Sequence, residues 1–453
     1  MMRNRVWLIV LLSLAACMLA TLGIYRWPPV YNRLAPRVDD ARARIQYALN
    51  PPDEAIFIPG EGEPSLTPLK SVPLTFTPSP QPTVTLPPDL PTPTQEPTAT
   101  PTITSTPLPE FIMLDNVVYV DQHNRWNYCG PANLTMALNY WGWPGTRDDV
   151  AAVVKPGIQD PTLDFIQRGR WDKNVMPYEL ADFVIENTDF NVVIRHGGDL
   201  ELIKRLIAGG FPVVVEKGYY EADYTGKVAW LGHYLFTTGY DDAAGEFIVQ
   251  DAYLKPGKNM RADYQTYLDG WRSFNYLFFI VYPPERDEEV FALLGDWANP
   301  VWGYQRALQI AEDEIQTQTG INLFFAWFNK GTSHVKLQQY FDAAMAYDQA
   351  FLVYAEIGDD NIQRPYRILW YQTGPYWAYY YTGRYQDVIN LANTTLYETI
   401  ADPTLEESLY WRGKAYLALG QTEAAIADFR ESVRLNPNFK PGWAALEQLG
   451  AAP

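Results

Sequence analysis

The distribution of apolar residues changes repeatedly along the chain, and each change marks the start of a different predicted segment. An almost uninterrupted apolar run comes first, followed by a short mixed stretch and then by a stretch rich in proline and threonine. A region with both strand-like and helix-like patterns follows, and the last region has helical periodicity. The predicted segments are a transmembrane helix, a juxtamembrane segment, a disordered stalk, an α+β unit and an all-α unit, at residues 1–27, 28–63, 64–109, 110–284 and 287–453.

The first apolar run, from Val6 to Tyr25, is long enough to span a membrane as a helix. Roughly 20 apolar residues cross the hydrocarbon core of a bilayer in that conformation. Arg3 and Arg5 precede the run, but Arg26, Arg33 and Arg37 follow it, so basic residues alone do not set the orientation. We predict an uncleaved signal anchor and a single-pass protein of the cell membrane. The proline- and threonine-rich segment that follows is of a kind common outside cells, so we expect the globular part to lie outside the cytoplasm. A cleaved signal peptide and lipoprotein processing at Cys17 are the alternatives.

The segment at residues 64–109 consists mostly of proline and threonine. Such a composition cannot bury an apolar core, and it favours the extended polyproline II conformation. We predict a disordered stalk between the membrane and the globular part of the protein. At ~3.1 Å per residue, this stalk could reach on the order of 100 Å.

Residues 110–284 mix strand-like and helix-like patterns, which predicts an α+β unit. Residues 117–121 and 213–215 have the composition of short strands. Residues 231–241 are largely apolar without alternation, as in a strand that is buried on both faces. A returning strand at 247–251 follows a predicted turn, so we expect these two strands to pair.

Cys129 is one of two cysteines, with Cys17, which excludes a disulfide-stapled scaffold and a zinc site built mainly from thiolates. Gly130 and Pro131 follow it, and apolar residues then recur at helical spacing from Leu134. Proline suits a first helical turn because its missing N–H needs no partner there. Cys129 should therefore lie at a helix N-terminus, where the helix dipole favours a thiolate. This placement is typical of a nucleophile, although a buried structural cysteine is the plainer alternative.

His233 lies near the start of the apolar strand, and Asp251 lies near the end of the returning strand. In an antiparallel pair, these two positions can be side by side. An imidazole that is oriented by a carboxylate and faces a thiolate is the general arrangement of a catalytic triad. For His233 taken alone, a hydrogen-bonded core histidine is the alternative.

Four features occur in a fixed order: Gln122, then N-Y-C-G-P-A-N-L-T-M-A-L around Cys129, G-H-Y-L-F-T-T-G-Y-D-D around His233, and V-Q-D-A-Y around Asp251. In order and placement they resemble the family-39 cysteine peptidases, which are papain-like enzymes related to the bacteriocin-processing, double-glycine leader peptidases. The resemblance covers residues 117–282. It implies that Cys129 is the nucleophile, that His233 is the general base and acid, and that Asp251 orients the imidazole. It also implies that Gln122 and the backbone N–H of Cys129 donate to the oxyanion.

The chain departs from the classical processing peptidases, which are fused to an ABC transporter. It has no ATPase P-loop pattern, so a preference for double-glycine substrates is not implied. Asp121 and His123 flank Gln122 and compete with it for the oxyanion assignment. The sequence has four histidines but no H-E-x-x-H pattern, so we expect neither a catalytic metal nor a cofactor.

The last region begins to repeat. Its clearest copy, at residues 406–439, resembles a tetratricopeptide repeat. An earlier copy spans residues 327–350, a degenerate copy starts near Leu369, and a weaker one starts near Glu288. One repeat cannot bury its own apolar face, so the copies should stack into an all-α solenoid. Such a solenoid usually binds a peptide or a partner protein, although it could also serve stability alone.

The charge balance excludes one class of partner. Lys and Arg total 35 against 53 Asp and Glu, and this net charge of −18 argues against nucleic-acid binding. The combined expectation is a membrane-anchored extracytoplasmic cysteine peptidase that hydrolyses a peptide or protein substrate and carries a repeat module for a protein partner. Two alternatives stay open, namely an inactive peptidase-like domain that acts with the repeats as a scaffold, and thiol-dependent transfer to an amine.

Overall fold

The computed structural model describes the two globular units and little of the N-terminal region. The described residues are 25, 30, 57–60, 107–123, 125, 127–156, 174–222, 228–357, 364–365, 367–398 and 405–452. The predicted transmembrane run and the proline- and threonine-rich stalk fall almost wholly outside this set. Within it, no helix combines the length and the apolar character needed to cross a bilayer.

Within the described ranges, seven strands form one sheet in which neighbouring strands run antiparallel. Along the sheet the order is β2-β7-β3-β4-β5-β6, and β1 pairs with the end of β4. The strands are Phe111–Met113 (β1), Asn191–Arg195 (β2), Val213–Ala222 (β3), Val228–Asp241 (β4), Glu246–Gln250 (β5), Met260–Asp263 (β6) and Phe278–Tyr282 (β7).

Helices cover both faces of this sheet. They are Cys129–Tyr140 (α1), Arg147–Val154 (α2), Pro177–Asn187 (α3), Leu200–Ala208 (α4) and Tyr264–Arg272 (α5). Leu134 of α1 packs in one core with Phe236, whereas Leu202 of α4 packs in another core with Leu235. Because successive strand residues point to opposite faces, β4 is buried on both sides, which confirms the predicted buried strand and the α+β class.

The predicted strand at residues 117–121 is wrong. These residues have no regular secondary structure, and β1 pairs with β4 instead. The segment is held by individual hydrogen bonds, because the Tyr119 hydroxyl donates to the carbonyl of Asp251 and the N–H of Gln122 donates to the carbonyl of Ala252. It therefore lies beside the end of β5 without adding a strand.

The remainder of the described chain is helical, as predicted. The helices are Asp287–Leu294 (α6), Pro300–Thr317 (α7), Gly320–Lys336 (α8), Tyr340–Glu356 (α9), Ile368–Tyr371 (α10), Gly374–Tyr381 (α11), Tyr385–Asn393 (α12), Glu406–Ala418 (α13), Thr422–Leu435 (α14) and Lys440–Gln448 (α15). Short 3₁₀ turns lie at Pro284–Arg286 and Gly295–Ala298, and a π-helical turn lies at Thr394–Glu398.

In two pairs of consecutive helices, a glycine of one helix faces an aromatic ring of the next. A Cβ on Gly331 of α8 would come within 2.7 Å of the Tyr347 ring in α9. A Cβ on Gly413 of α13 would come equally close to the Phe429 ring in α14, at 2.7 Å. Glycine at these two positions therefore permits the close helix approach that the repeat pattern predicts.

The weakest predicted repeat, near Glu288, is wrong. Val290 and Leu294 of α6 and the following Trp297 are buried in the core of the α+β unit, together with Leu202 and Phe211. The helical repeats therefore begin later in the chain, and α6 belongs to the sheet-containing unit.

Apolar residues from the two units form one continuous core. Trp230 and Phe274 of the α+β unit pack in the same cluster as Phe325 and Tyr371 of the helical unit. The Trp230 and Phe274 rings stack with their centroids 5.7 Å apart, and the edge of the Tyr371 ring lies against the Trp230 ring at 5.6 Å. The interface between the units is therefore packed like the interior of a domain.

Hydrogen bonds extend this interface beyond its apolar part. Near one end, the side-chain amide of Gln372 donates to the carbonyl of Ser273, at 2.7 Å. Near the other end, the side-chain amide of Asn436 donates to a carboxylate oxygen of Glu179, at 3.1 Å. The helical unit thus contacts the α+β unit on both α3 and the segment after α5.

Candidate active site

Cys129 is the first residue of α1, as its sequence context predicts. The N–H of Ala132 donates to the carbonyl of Tyr128 at 2.8 Å, so the first helical turn begins directly at the cysteine. The first turn of this helix contains no acidic residue, so no carboxylate there opposes the positive end of the helix dipole. The half-buried thiol therefore occupies a position that favours its anionic form.

Asn133 joins the start of α1 to β4. Its side chain is buried, and its amide nitrogen donates both to the carbonyl of Cys129, at 2.8 Å, and to the carbonyl of Tyr234, at 3.0 Å. Tyr234 follows His233 in β4. One amide group therefore fixes the helix that carries the thiol against the strand that carries the imidazole.

His233 and Asp251 are hydrogen-bonded, as the strand pairing predicts. Nε2 of His233 lies 3.0 Å from Oδ1 of Asp251, and both side chains are buried. The same oxygen accepts the backbone N–H groups of Tyr253 and Leu254, at 2.8 and 2.9 Å. The carboxylate is thus held by the turn that follows β5, and it fixes the orientation of the imidazole.

Gly257 closes the turn behind Asp251. A Cβ at this position would lie 2.0 Å from the carbonyl oxygen of Asp251 and 2.2 Å from the hydroxyl oxygen of Tyr119. The carbonyl of Gly257 also accepts the N–H of Asp251, at 2.9 Å. Only glycine fits there, because backbone atoms cannot move aside as the end of a flexible side chain can.

The side chains of Cys129 and His233 also interact, because each shifts the pKa of the other. Since Nε2 of the imidazole is engaged by Asp251, Nδ1 is the ring nitrogen available to the thiol. Burial alone raises the pKa of the Cys129 thiol, but the hydrogen bond and the charge of His233, with a backbone hydrogen bond from Tyr234, bring this pKa below its ordinary value. The surroundings therefore favour the thiolate.

The same interactions favour the charged imidazole. Burial alone lowers the pKa of His233, but the Asp251 carboxylate and the interaction with Cys129 outweigh burial and raise this pKa. Burial alone raises the pKa of Asp251, yet the charge of His233 and the N–H groups of the following turn hold it below its usual range. A thiolate–imidazolium pair flanked by a carboxylate is the charge state that these groups stabilise together.

Gln122 is buried beside the residue that follows Asp251, because its N–H donates to the carbonyl of Ala252 at 2.8 Å. Its side-chain oxygen accepts no hydrogen bond from any described residue. Of its competing neighbours, Asp121 is half-exposed and paired with Arg147 at 2.9 Å, whereas the His123 ring stacks on the Tyr253 ring with centroids 6.2 Å apart. Gln122 is thus the inward-facing residue of this segment, and its oxyanion role stays a prediction.

Sequence reasoning missed two tyrosines that pack around the imidazole. The centroids of the Tyr219 and Tyr253 rings lie 5.4 and 6.4 Å from that of His233, and both rings are tilted steeply against it. They reach the site from β3 and from the turn after β5. No local signal could have shown this, because each residue is ordinary for its own segment.

Glu216 of β3 was also missed. It is almost fully buried and lies opposite Tyr234 in the register between β3 and β4. Burial, followed by the charge of Cys129, raises the pKa of this carboxyl well above its usual range. A glutamate that follows three valines in a predicted buried strand was the available signal, since an acid rarely occupies such a place.

Comparison with known proteins agrees with this architecture. Residues 114–278 match the family model described as "Peptidase_C39 like family", and residues 406–439 match that of the tetratricopeptide repeat. The chain therefore contains a C39-like peptidase domain joined to a tetratricopeptide repeat, which confirms the resemblance seen in the sequence.

Among solved structures, a crystal structure described as a C39-like peptidase from Bacillus anthracis is 16% identical to this chain. The match covers 38% of this chain and 96% of that one, with a TM-score of 0.29. No curated protein matches the chain.

Proposed function

We propose that this protein is a cysteine peptidase that hydrolyses peptide bonds through Cys129, His233 and Asp251. One observation carries the proposal: the imidazole of His233 is bonded through Nε2 to a buried carboxylate, at 3.0 Å, and it interacts with Cys129, the only free cysteine among the described residues. A core histidine would need one partner to be satisfied, whereas this one links a base-orienting acid to a nucleophile.

The proposed mechanism uses the charges already present in the site. The thiolate of Cys129 attacks the carbonyl carbon of the substrate, and the carbonyl oxygen becomes an oxyanion. Gln122 and the backbone N–H of Cys129 would donate hydrogen bonds to this oxygen, and each such donor contributes about 3 kcal/mol in the transition state.

Proton transfer through His233 completes the cycle. His233 gives its proton to the leaving amine, the carbon–nitrogen bond breaks, and a thioester forms on Cys129. His233 then takes a proton from water as the water attacks the thioester, and the acid product leaves. Asp251 keeps the imidazole in place and stabilises its charged form throughout.

The test is hydrolysis of a peptide library by the full chain, with products identified by mass spectrometry. Cys129→Ala and His233→Ala are each expected to abolish cleavage while leaving the circular dichroism spectrum unchanged. Iodoacetamide at pH 7 should alkylate Cys129 faster than an ordinary thiol, and Cys17→Ser is the matched control that keeps this reactivity.

Two other outcomes would replace the proposal. A wild-type protein that cleaves no peptide and leaves Cys129 unmodified at pH 7 would favour an inactive, scaffold-like domain. An added primary amine that appears in the product would instead favour transfer, since water and an amine compete for the same thioester.

We extend the proposal to location. The apolar run from Val6 to Tyr25 supports a single-pass anchor in the cell membrane, and the proline- and threonine-rich segment after it supports a peptidase domain outside the cytoplasm. Carbonate-resistant membrane association of the full chain, together with cleavage of the globular part by a protease added to intact cells, tests both features. Release by carbonate, or protection from the protease, would contradict them.

A further inference from the structure

Four residues from the N-terminal region, Phe57–Gly60, are seated on the helical unit. They contact Phe351 of α9, Tyr379 of α11 and Asp387 of α12. The chain then continues through residues 61–106 before it enters the peptidase domain at residue 107. The proline- and threonine-rich stretch therefore starts from a contact on the repeats.

Phe57 provides the apolar part of this contact. Its side chain is 6% exposed and belongs to the core cluster of the helical unit. The edge of its ring meets the Phe351 ring of α9 with centroids 5.1 Å apart, and the Tyr379 ring of α11 lies at 6.1 Å. This is a built aromatic pocket, in which edge-to-face contact is the preferred geometry.

Gly60 provides the polar part. Its N–H donates to Oδ1 of Asp387 in α12, at 2.8 Å. The other oxygen of Asp387, Oδ2, accepts from Nε of Arg384 at 2.7 Å. Arg384 thus orients the carboxylate, and one of its two oxygens is directed to the backbone of the docked segment.

The pocket is further braced from within the helical unit. The Arg384 guanidinium lies 4.3 Å from the centroid of the Tyr379 ring and bonds Oδ2 of Asp348 at 2.7 Å. The Tyr379 hydroxyl donates to the other oxygen of Asp348, at 3.0 Å. The ring that receives Phe57 and the carboxylate that receives Gly60 are therefore parts of one hydrogen-bonded network.

Gly60 has a φ of +75°, in the left-handed region that favours glycine. The residue before it, Pro59, has a fixed backbone angle and no N–H. The docked segment thus combines an aromatic anchor with a proline–glycine turn that presents one N–H to Asp387. This combination is more specific than an apolar contact alone.

We propose that the pocket formed by Phe351, Tyr379 and Asp387 is a peptide-binding site of the repeat unit, and that its ligand is this chain's own Phe57–Gly60 segment. The recognised chemistry is an aromatic side chain followed, three residues later, by a glycine N–H. The docked segment attaches the N-terminal region to the repeat unit.

Covalent connection makes this weak contact effective. One buried ring and one hydrogen bond correspond to a dissociation constant of about millimolar as separate molecules. A linker of suitable length supplies a local concentration that is also about millimolar. The segment is therefore bound about half of the time in the intact chain, and a peptide with the same features can compete for the pocket.

The experiment is hydrogen exchange of the full-length protein, read at the Gly60 amide by mass spectrometry with fragmentation. In the wild type this amide is expected to exchange about twofold more slowly than in an unstructured peptide, because its hydrogen is bonded to Asp387 in about half of the molecules. Phe57→Ala and Asp387→Asn should each remove the protection. Phe341→Ala, a 71% exposed phenylalanine on the same helix as Phe351, is the matched control that should retain it.

A competition measurement leaves the repeat unit unaltered and so excludes unfolding as the cause. A synthetic peptide of residues 53–62, at a concentration of several millimolar (about the expected dissociation constant), should remove the Gly60 protection of the wild type. The same peptide with alanine in place of Phe57 should not. Unprotected Gly60 in the wild type, protection that survives Phe57→Ala, or equal competition by both peptides would each overturn the proposal.

Discussion

Tyr178 at the start of α3 donates its hydroxyl hydrogen to Glu407 of α13, at 2.8 Å, and so joins the peptidase domain to the tetratricopeptide repeat. The second oxygen of Glu407 accepts from the Thr373 hydroxyl, at 2.5 Å. Glu407 is 7% exposed, so its carboxylate depends on these partners. A residue of the repeat thus contacts the chain's own peptidase domain.

Tyr178→Phe removes this hydrogen bond while keeping the ring. We expect the free energy of unfolding to fall by about 1–2 kcal/mol, because a buried carboxylate loses one of its donors. Urea denaturation followed by tryptophan fluorescence measures this change. Both units should unfold in a single transition, since they share one apolar core.

Tyr381→Phe is the matched control, because Tyr381 is 53% exposed and the ring stays in place. Its effect should stay within about 0.5 kcal/mol. Two separate transitions, with only one of them sensitive to Tyr178→Phe, would contradict the shared core.

Asp251→Asn keeps the shape of the side chain and removes its charge. Since the Asp251 carboxylate raises the pKa of His233, that pKa should fall in the variant. The imidazolium is then lost at a lower pH, so the alkaline limb of the activity profile should move to lower pH. Carbon-13 NMR of the labelled imidazole measures the pKa directly, and an unchanged value would show that Asp251 does not act on His233 through its charge.

The same variant should alter stability over a defined pH range. The lowered pKa of Asp251 contributes stability above its unfolded value of about 3.9, and this contribution is lost as the pH falls through the folded value. The raised pKa of His233 contributes stability below its unfolded value of about 6.5, and this is lost as the pH rises through the folded value. The difference between wild type and Asp251→Asn should therefore be greatest between about pH 4 and pH 6.5, measured by urea denaturation. A difference that is constant from pH 3 to pH 9 would rule out the charge pair as its source.

Gly257→Ala should lower the activity by displacing the turn that holds Asp251. Its Cβ would overlap the carbonyl oxygen of Asp251, so the turn must move and carry the carboxylate away from His233. A displacement of about 1 Å can cost about a hundredfold in rate, which a comparison of kcat/KM would detect.

Gly420→Ala is the control, because a Cβ there meets no atom within 4 Å although φ is +76°. It should cost about 1 kcal/mol of stability and leave the rate unaltered. Equal rates for both variants would contradict the proposed role of the turn.

Gly232→Ala tests how closely the helical unit approaches the strand that carries His233. The added Cβ would lie 2.7 Å from the Tyr371 ring and 2.8 Å from the Phe274 ring. Overpacking of this kind costs about 1–3 kcal/mol. Combined with Tyr371→Leu, the loss should be smaller than the sum of the two single losses, whereas combination with Phe341→Ala should be additive. Additive behaviour of both pairs would mean that the close contact at Gly232 is absent in solution.

The features that were predictable from the sequence are those set by local pattern. Pro131 and the apolar spacing after it place Cys129 at a helix N-terminus, and a hairpin of two buried strands brings His233 near Asp251. These relationships depend on residues that are close in sequence or paired across one turn. The sequence order of Gln122, Cys129, His233 and Asp251 then indicated the resemblance to the family-39 cysteine peptidases.

The features that were not predictable depend on contacts between distant segments. Nothing in the neighbourhood of Asn436 indicates that it bonds Glu179, and nothing near Tyr371 indicates that it faces Gly232. The contact of Phe57 with the helical unit was equally unpredictable, because its segment has the pattern of a connection between two larger regions. Such contacts are set by three-dimensional packing, and the sequence around one residue does not identify its distant partner.

The helix α6 and the turn after it have a practical consequence for dividing the protein. Trp297 bonds the carbonyl of Gly197 through its indole nitrogen, at 3.0 Å, while Val290 and Leu294 fill the core beneath α4. A fragment that ends where the match to the peptidase family ends, at residue 278, would expose that core to water and also lose most of β7. The smallest fragment that keeps this core buried extends past residue 297. The segment that matches the peptidase family and the segment that must fold together therefore end at different residues.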